Sequence, residues 1–336
     1  MKQALRYTVL GGMLILLVGS VEADRIGTLS FASFPRSPDL YLVDSTGKNF
    51  RKLTTDHIHK GSPTWSPDGR FFAYHSNDDG DPDIYVVDVR NKTSRQLINH
   101  PERDLSPAWS PNGKWIAFES DRTGDLHIYR INVDGSNLMQ LTKRGDNQNP
   151  AWSPDSQWIA YNSYQDGNRD AGIRGRHFLS VMTADGKRSK QLAEGPNMSG
   201  CTWSPDGKQI AFAAGNIGVE GVNIIVIDVN RRNRRNLTRI GANAWARYPA
   251  WSPDGEWIAY FFKALPVLDL GLGHRVIDIW SGDSVIYVTN SEGENDGQPL
   301  EATRGVSSSP VWVPEGFFRV SPQPQLLSTQ WGQLKK

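Results

Sequence analysis

The sequence predicts an all-β fold, a six-bladed β-propeller of four-stranded antiparallel blades whose ring is closed by strands from both ends of the chain. Three observations carry that reading. A tight-turn motif, Ala108-Trp109-Ser110-Pro111-Asn112-Gly113, recurs as Thr64-Trp65-Ser66-Pro67-Asp68-Gly69, Ala151-Trp152-Ser153-Pro154-Asp155-Ser156, Thr202-Trp203-Ser204-Pro205-Asp206-Gly207 and Ala250-Trp251-Ser252-Pro253-Asp254-Gly255. A worn sixth copy is Val311-Trp312-Val313-Pro314-Glu315-Gly316. The motif tryptophans stand 44, 43, 51, 48 and 61 residues apart, close to the roughly 40–45 residues of one four-stranded blade. Further short apolar segments follow each copy, and no stretch of useful length repeats at helical period.

Within a unit each element has a local cause. Pro presets φ inside the turn, Asp or Asn bonds its own backbone, and Gly accepts the positive φ that ends it. The residues before the turn form strand A (Pro-x-Trp). Those after it form strand B, such as Trp115-Ile116-Ala117-Phe118, rich in aromatic and β-branched residues. Strand C follows as Ile84-Tyr85-Val86 or Ile128-Tyr129-Arg130, and strand D as Arg95-Gln96-Leu97 or Gln140-Leu141-Thr142. Ser156 occupies the glycine place of its turn, where a non-glycine residue costs about 1 kcal/mol, so Ser156→Gly is expected to stabilise modestly.

The first and last units are fragments. Leu29-Ser30-Phe31, Leu40-Tyr41-Leu42 and Arg51-Lys52-Leu53 match strands B, C and D with no strand A before them, while Pro310-Val311-Trp312 supplies a strand A. Together they complete one blade, and closing the ring this way removes free sheet edges. The segment Phe317-Phe318-Arg319-Val320 competes for the same B position.

Residues 1–23 read as a signal peptide, with Lys2 and Arg6 before an apolar run over residues 8–19 and small residues ahead of Asp24. The propeller then occupies residues 24–316 and a tail residues 317–336. The product is expected to be periplasmic or secreted, with no transmembrane span after cleavage. Without residues 1–23, 35 Lys and Arg face 35 Asp and Glu, a balance that argues against a nucleic-acid partner. Cys201 is the only cysteine. It rules out an internal disulfide and, standing where other copies carry Pro, reads as a small apolar filler.

In an up-and-down blade the A–B and C–D turns share one face, and the B–C and D–A connections share the other. The second face carries the irregular insertions at residues 164–177, 214–222 and 262–283, where binding is expected. The D–A loops enter the funnel just before each Pro-x-Trp and offer the candidate binding residues His59, Arg103, Asp104, Asn147, Asn149, Asn197, Trp245, Arg247 and Tyr248. Trp, Arg and Tyr in one loop is a hot-spot composition. On the other face, the turns bearing Arg90 and Lys92, Lys187 and Arg188, and Arg231, Arg232, Arg234 and Arg235 place positive charge at the rim, suited to an anionic envelope surface or acidic polysaccharide.

The run Asn77-Asp78-Asp79-Gly80-Asp81-Pro82-Asp83 alternates oxygen ligands but lacks the glycine and glutamate of a calcium loop and reads as a B–C turn. The seven histidines show no ligand-pair spacing, and no Gly-x-Ser-x-Gly nucleophile motif occurs. No cofactor, metal or catalytic residue is nominated.

The repeat resembles the TolB-like propeller family, whose blades share the Trp-Ser-Pro-Asp-Gly turn followed by Ile-Ala-Phe, Ile-Tyr and Leu-Thr segments. The resemblance covers residues 26–316 and implies a six-bladed ring that binds proteins through its central funnel. The family's namesake carries an α/β domain ahead of its propeller, for which the residues between Asp24 and Ile26 leave no room. The expected function is therefore a non-catalytic scaffold binding a protein or peptide partner at the funnel. A carbohydrate-active or other hydrolytic enzyme with a metal or carboxylate site on the same face is the alternative, and an accessory propeller to a separate peptidase a third.

Overall fold

The computed structural model describes residues 27–32, 39–54, 60–77, 80–166, 175–231, 233–269, 275–277, 284–293, 297–305 and 309–314. Its strands group into the blades that the repeat marks out. From axis to rim, blade 1 holds Lys60–Trp65, Phe71–Ser76, Asp83–Asp88 and Thr93–Gln96, and blade 2 holds Asp104–Trp109, Trp115–Ser120, His127–Asn132 and Met139–Gln140. Blade 3 holds Asp146–Trp152, Trp158–Gln165, Arg176–Thr183 and Ser189–Gly195. Blade 4 follows with Ser199–Trp203, Gln209–Asn216, Gly221–Asp228 and Arg234–Asn236, and blade 5 with Ala244–Trp251, Trp257–Ala264, Ser284–Asn290 and Gln298–Pro299. The closing blade runs Val311–Trp312, Thr28–Ala32, Leu40–Asp44, Arg51–Lys52. Thr28–Ala32 thus fills the B position, with Leu29 opposite Trp312 and Ser30 opposite Val311. The signal-peptide reading, the tail and the segment 317–320, together with His59 and Arg232, lie outside the described residues.

Apolar clusters form at the interfaces between neighbouring blades. One joins Leu40 and Leu42 of the closing blade to Trp65 and Phe72 of blade 1, and another joins Leu29 and Phe31 to Ala259 and Ile286 of blade 5. The remaining four interfaces each have a cluster of their own. Strands covered on both faces explain apolar runs without alternation, as in Gly221–Asp228. Among the described residues, no helix is long and apolar enough to cross a membrane.

The motif residues build the turn with side chains. Ser66 Oγ donates to the Asp68 carboxylate (2.6 Å) and accepts the Phe71 N–H (2.9 Å), while that carboxylate accepts the Arg70 N–H (3.0 Å). The same three bonds recur around Ser110 and Asn112, Ser153 and Asp155, Ser204 and Asp206, and Ser252 and Asp254. The motif tryptophan then ties its blade to the one before. Trp152, Trp203 and Trp312 donate Nε1–H to the carbonyls of Ala108, Ala151 and Ala250 at 3.0, 3.1 and 2.9 Å. Trp65 reaches the closing blade through Ser30 Oγ (2.9 Å), which in turn bonds Val311 O. Where Thr64 and Thr202 replace that alanine, the indole N–H of the next tryptophan, Trp109 or Trp251, has no acceptor.

Two expectations are refined. The described ends of the insertions after strand B in blades 3 and 4 continue the sheet, giving eight-residue B and C strands where blades 1 and 2 have six. Blade 5 adds a hairpin, Val267–Asp269 with Arg275–Ile277. Ser156 has φ 59°, beside 67–78° for the glycines of the other four turns, but its buried Oγ accepts the Asn112 N–H of the preceding blade (3.0 Å). Relief of the positive φ in Ser156→Gly is offset by loss of that bond, worth about 0.5–1.5 kcal/mol. In urea denaturation we expect Ser156→Gly to lie within about 0.5 kcal/mol of the native protein and Ser156→Ala, which keeps the strain and loses the bond, to cost about 1 kcal/mol. A full stabilisation of about 1 kcal/mol by Ser156→Gly would mean the bond contributes nothing.

Candidate functional site

The A strands surround a channel of about 450 Å³ lined from all six blades. Each of the five intact A–B pairs slips register just before its tryptophan, between Gly61/Thr64, Leu105/Ala108, Gln148/Ala151, Ser199/Cys201 and Arg247/Ala250. At these bulges Ser62, Ser106, Asn149, Gly200 and Tyr248 have φ between 45° and 60°, and Ser309 of the closing blade 27°. A bulge re-aims a side chain and bends its strand, and here it turns these residues onto the channel wall. A Cβ on Gly200 would stand 3.0 Å from Tyr248 Cα, so a side chain there would crowd the tyrosine.

A chain of hydrogen bonds runs along the wall through blades 2, 3 and 4, and blade 5 packs against its end. Glu119, buried on strand B of blade 2, accepts the Asn149 N–H (2.6 Å) and Nδ2–H (3.3 Å) from blade 3. Asn149 Oδ1 accepts the Gly200 N–H (2.9 Å), and its carbonyl accepts the Cys201 thiol (3.2 Å) from blade 4. Tyr248 of blade 5 packs on Gly200, and the adjacent Arg247 guanidinium lies 4.3 Å over the Trp245 ring. Loss of water pushes the Glu119 carboxyl up, and burial followed by the charge of Glu119 pushes the Cys201 thiol up. Tyr248 is likewise raised, first by burial, and burial lowers Arg247. Arg247 Nε and Trp245 Nε1 are buried with no acceptor.

The remaining candidates are engaged within the protein. Arg103 is bonded to Asp121 (Nε to Oδ2, 2.7 Å). Asp104 is fully buried, with Arg122 at 2.8 Å and that guanidinium 4.8 Å over Tyr129. Asn147 donates Nδ2–H to the carbonyls of Arg144 and Gly145, and Asn197 to that of Gly215. These four fasten D–A loops to the blade beneath. The structure therefore brings together Asn149, Trp245, Arg247 and Tyr248, and sets Arg103, Asp104, Asn147 and Asn197 apart from them. Trp245 also packs on the apolar cluster of blades 4 and 5 and pairs with Val222. Sequence reasoning missed Glu119; a charged residue inside an otherwise buried strand was the available signal. At the rim, Arg95 and Arg235 reach carbonyls of the next blade, Val133 and Ser291, so part of that charge serves the ring. Among the described residues, no three His, Cys, Asp or Glu stand close enough to hold a metal ion.

A carboxyl whose folded pKa is raised holds its proton in the folded state after the unfolded chain has lost it, so stability falls as pH rises above the ordinary carboxylate range. Glu119→Gln keeps an acceptor for Asn149 and removes the charge. We expect it to raise the unfolding midpoint at pH 7–8, to change little near pH 4, and to flatten the profile between; an equal shift at both ends would mean Glu119 does not titrate there.

The family model for the TolB beta propeller domain matches residues 15–254. Among solved structures, TolB from Acinetobacter baumannii superposes with a TM-score of 0.63 at 20% identity, covering 86% of this chain and 67% of that one. A putative TolB from Agrobacterium tumefaciens gives 0.60 at 18%, covering 81% and 87%. An oligogalacturonate lyase in complex with manganese gives 0.53 at 13%, covering 81% and 72%. At these identities the likenesses establish the fold alone. No curated protein sequence matches the chain.

Proposed function

We propose that this chain, which belongs to the TolB beta propeller domain family, is an exported, non-catalytic scaffold that captures a protein or peptide partner at the mouth of its channel. The observation that carries this reading is the half-buried group of Trp245, Arg247 and Tyr248 on one strand, the last of which lines a channel walled by all six blades. An extended segment of a partner supplies carbonyl or carboxylate oxygens to the Arg247 guanidinium, and the Asn149 and Tyr248 side chains border its path. Trp, Tyr and Arg are the residues that dominate binding energy at protein interfaces. The charged C–D turns at Arg90 and Arg231 are the surface for an anionic envelope component or acidic polysaccharide, on the face away from the channel mouth.

Because Trp245 packs on the interface of blades 4 and 5, Trp245→Ala is expected to cost about 2 kcal/mol or more of stability, and Arg247→Gln is the cleaner probe. Envelope extract passed over the immobilised protein identifies a partner, which is then titrated. Arg247→Gln should weaken it by about 2 kcal/mol, roughly thirtyfold, with the unfolding midpoint unchanged, while Arg90→Glu with Arg231→Glu should leave it intact. The reverse pattern would move the working surface to the short-turn face.

A further inference from the structure

We propose that the cleft between blades 2 and 3 is a binding site for a short anionic saccharide, separate from the channel. The cleft encloses about 810 Å³, within the roughly 300–1,000 Å³ of cavities that hold small-molecule ligands. Its origin lies in one cross-strand pair. In four blades the aromatic of strand B faces a tyrosine of strand C, and the rings lie 5.7–5.8 Å apart: Tyr74 with Tyr85, Phe118 with Tyr129, Tyr260 with Tyr287, Phe31 with Tyr41. In blade 4 the partner of Phe212 is the buried Ile225, and Arg234 lies 5.9 Å over the ring. In blade 3 the partner of Tyr161 is Ser180. The space that a phenol ring fills in four other blades is left open there.

The floor this exposes is polar and built. Tyr161, Ser163 and Ser180 are 7%, 9% and 3% exposed, and the two serine hydroxyls lie 3.2 Å apart. Tyr161 faces Ser180 across the strand pair, and Ser189 lines the same cleft. Lys143 and Arg144 stand on the blade 2 side and Lys187 and Lys190 on the blade 3 side. Asp185 is the one acid among the lining residues, and its carboxylate is taken by the Thr183 hydroxyl (2.6 Å), the Lys187 N–H (3.1 Å) and Lys187 Nζ (3.3 Å). Lys143, Arg144 and Lys190 form no ion pair among the described residues, so the rim carries net positive charge. A simple anion would satisfy the rim and leave the hydroxyl floor unused. A chain of sugars bearing carboxylates matches both, since its hydroxyls donate and accept against Tyr161, Ser163 and Ser180 while its carboxylates form charge-assisted bonds at the rim.

Calorimetric titration with an alginate trisaccharide, which carries three uronate carboxylates, tests this, with cellotriose as the neutral counterpart and inorganic phosphate as competitor. We expect saturable binding of the uronate, at least tenfold weaker binding of cellotriose, and no displacement by equimolar phosphate. Ser180→Tyr restores the stacked pair of the other blades and should abolish binding while the unfolding midpoint holds or rises. Lys143→Glu with Lys190→Glu should weaken binding at least tenfold, and Arg247→Gln in the channel should leave it unchanged. Absence of uronate binding, its survival in Ser180→Tyr, its loss in Arg247→Gln, or displacement by equimolar phosphate would each overturn the assignment.

Discussion

The pairing of Val311–Trp312 with Thr28–Ala32 is the joint on which this molecule depends. The apolar clusters lie between blades and join residues of two neighbours, so a blade at an open end would expose one of its two apolar faces. Closure from both ends of the chain gives the closing blade an interface on each side. Trp65 then bonds Ser30 from one neighbour, and Trp312 bonds the Ala250 carbonyl on the other. The stabilisation is thus shared around the ring, in the manner of repeat proteins whose units are held by nearest-neighbour interfaces.

The same closure positions the channel. Six inner strands brought round one axis would present a plain pleated wall, but a positive-φ residue just before each Pro, or before Cys201, turns side chains and backbone groups inward. The strain of about 1 kcal/mol at each non-glycine bulge is tolerated because the flanking interfaces fix the strand on both sides. Behind that wall a chain of hydrogen bonds runs from Glu119 through Asn149 to Gly200 and Cys201, and Tyr248 of blade 5 packs against its end. The lateral cleft arises differently, from the absence of one ring in one blade, and the two openings rest on different residues.

The spacing of the tryptophans, the Ser-Pro-Asp turn and the division of one blade between the two ends were legible because each is written in consecutive residues or in their period. The eight-residue strands of blades 3 and 4 were not, since the polar residues and glycines at 164–166, 175–177, 214–216 and 221–222 read as loop until pairing partners such as Gly195 and Gly221 are known. Asp104 and Asn147 looked available as loop residues, and only the fold supplies Arg122 and the carbonyls of Arg144 and Gly145. Ser180 was silent, and Glu119 showed only as a charge inside a buried strand, for a related reason: the meaning of each comes from a partner, Tyr161 on the adjacent strand or Asn149 in the next blade.

The claim that closure couples the whole ring is tested most directly by native-state hydrogen exchange on the intact chain. If the ring opens as one unit, the amides of Thr28–Ala32 and of the inner strands Asp104–Trp109, Asp146–Trp152 and Ala244–Trp251 should exchange with a common, global free energy and the same denaturant dependence. Exchange of Thr28–Ala32 through a low-energy opening, with the inner strands of blades 2, 3 and 5 still protected, would contradict the account and make the closing blade a dispensable appendage.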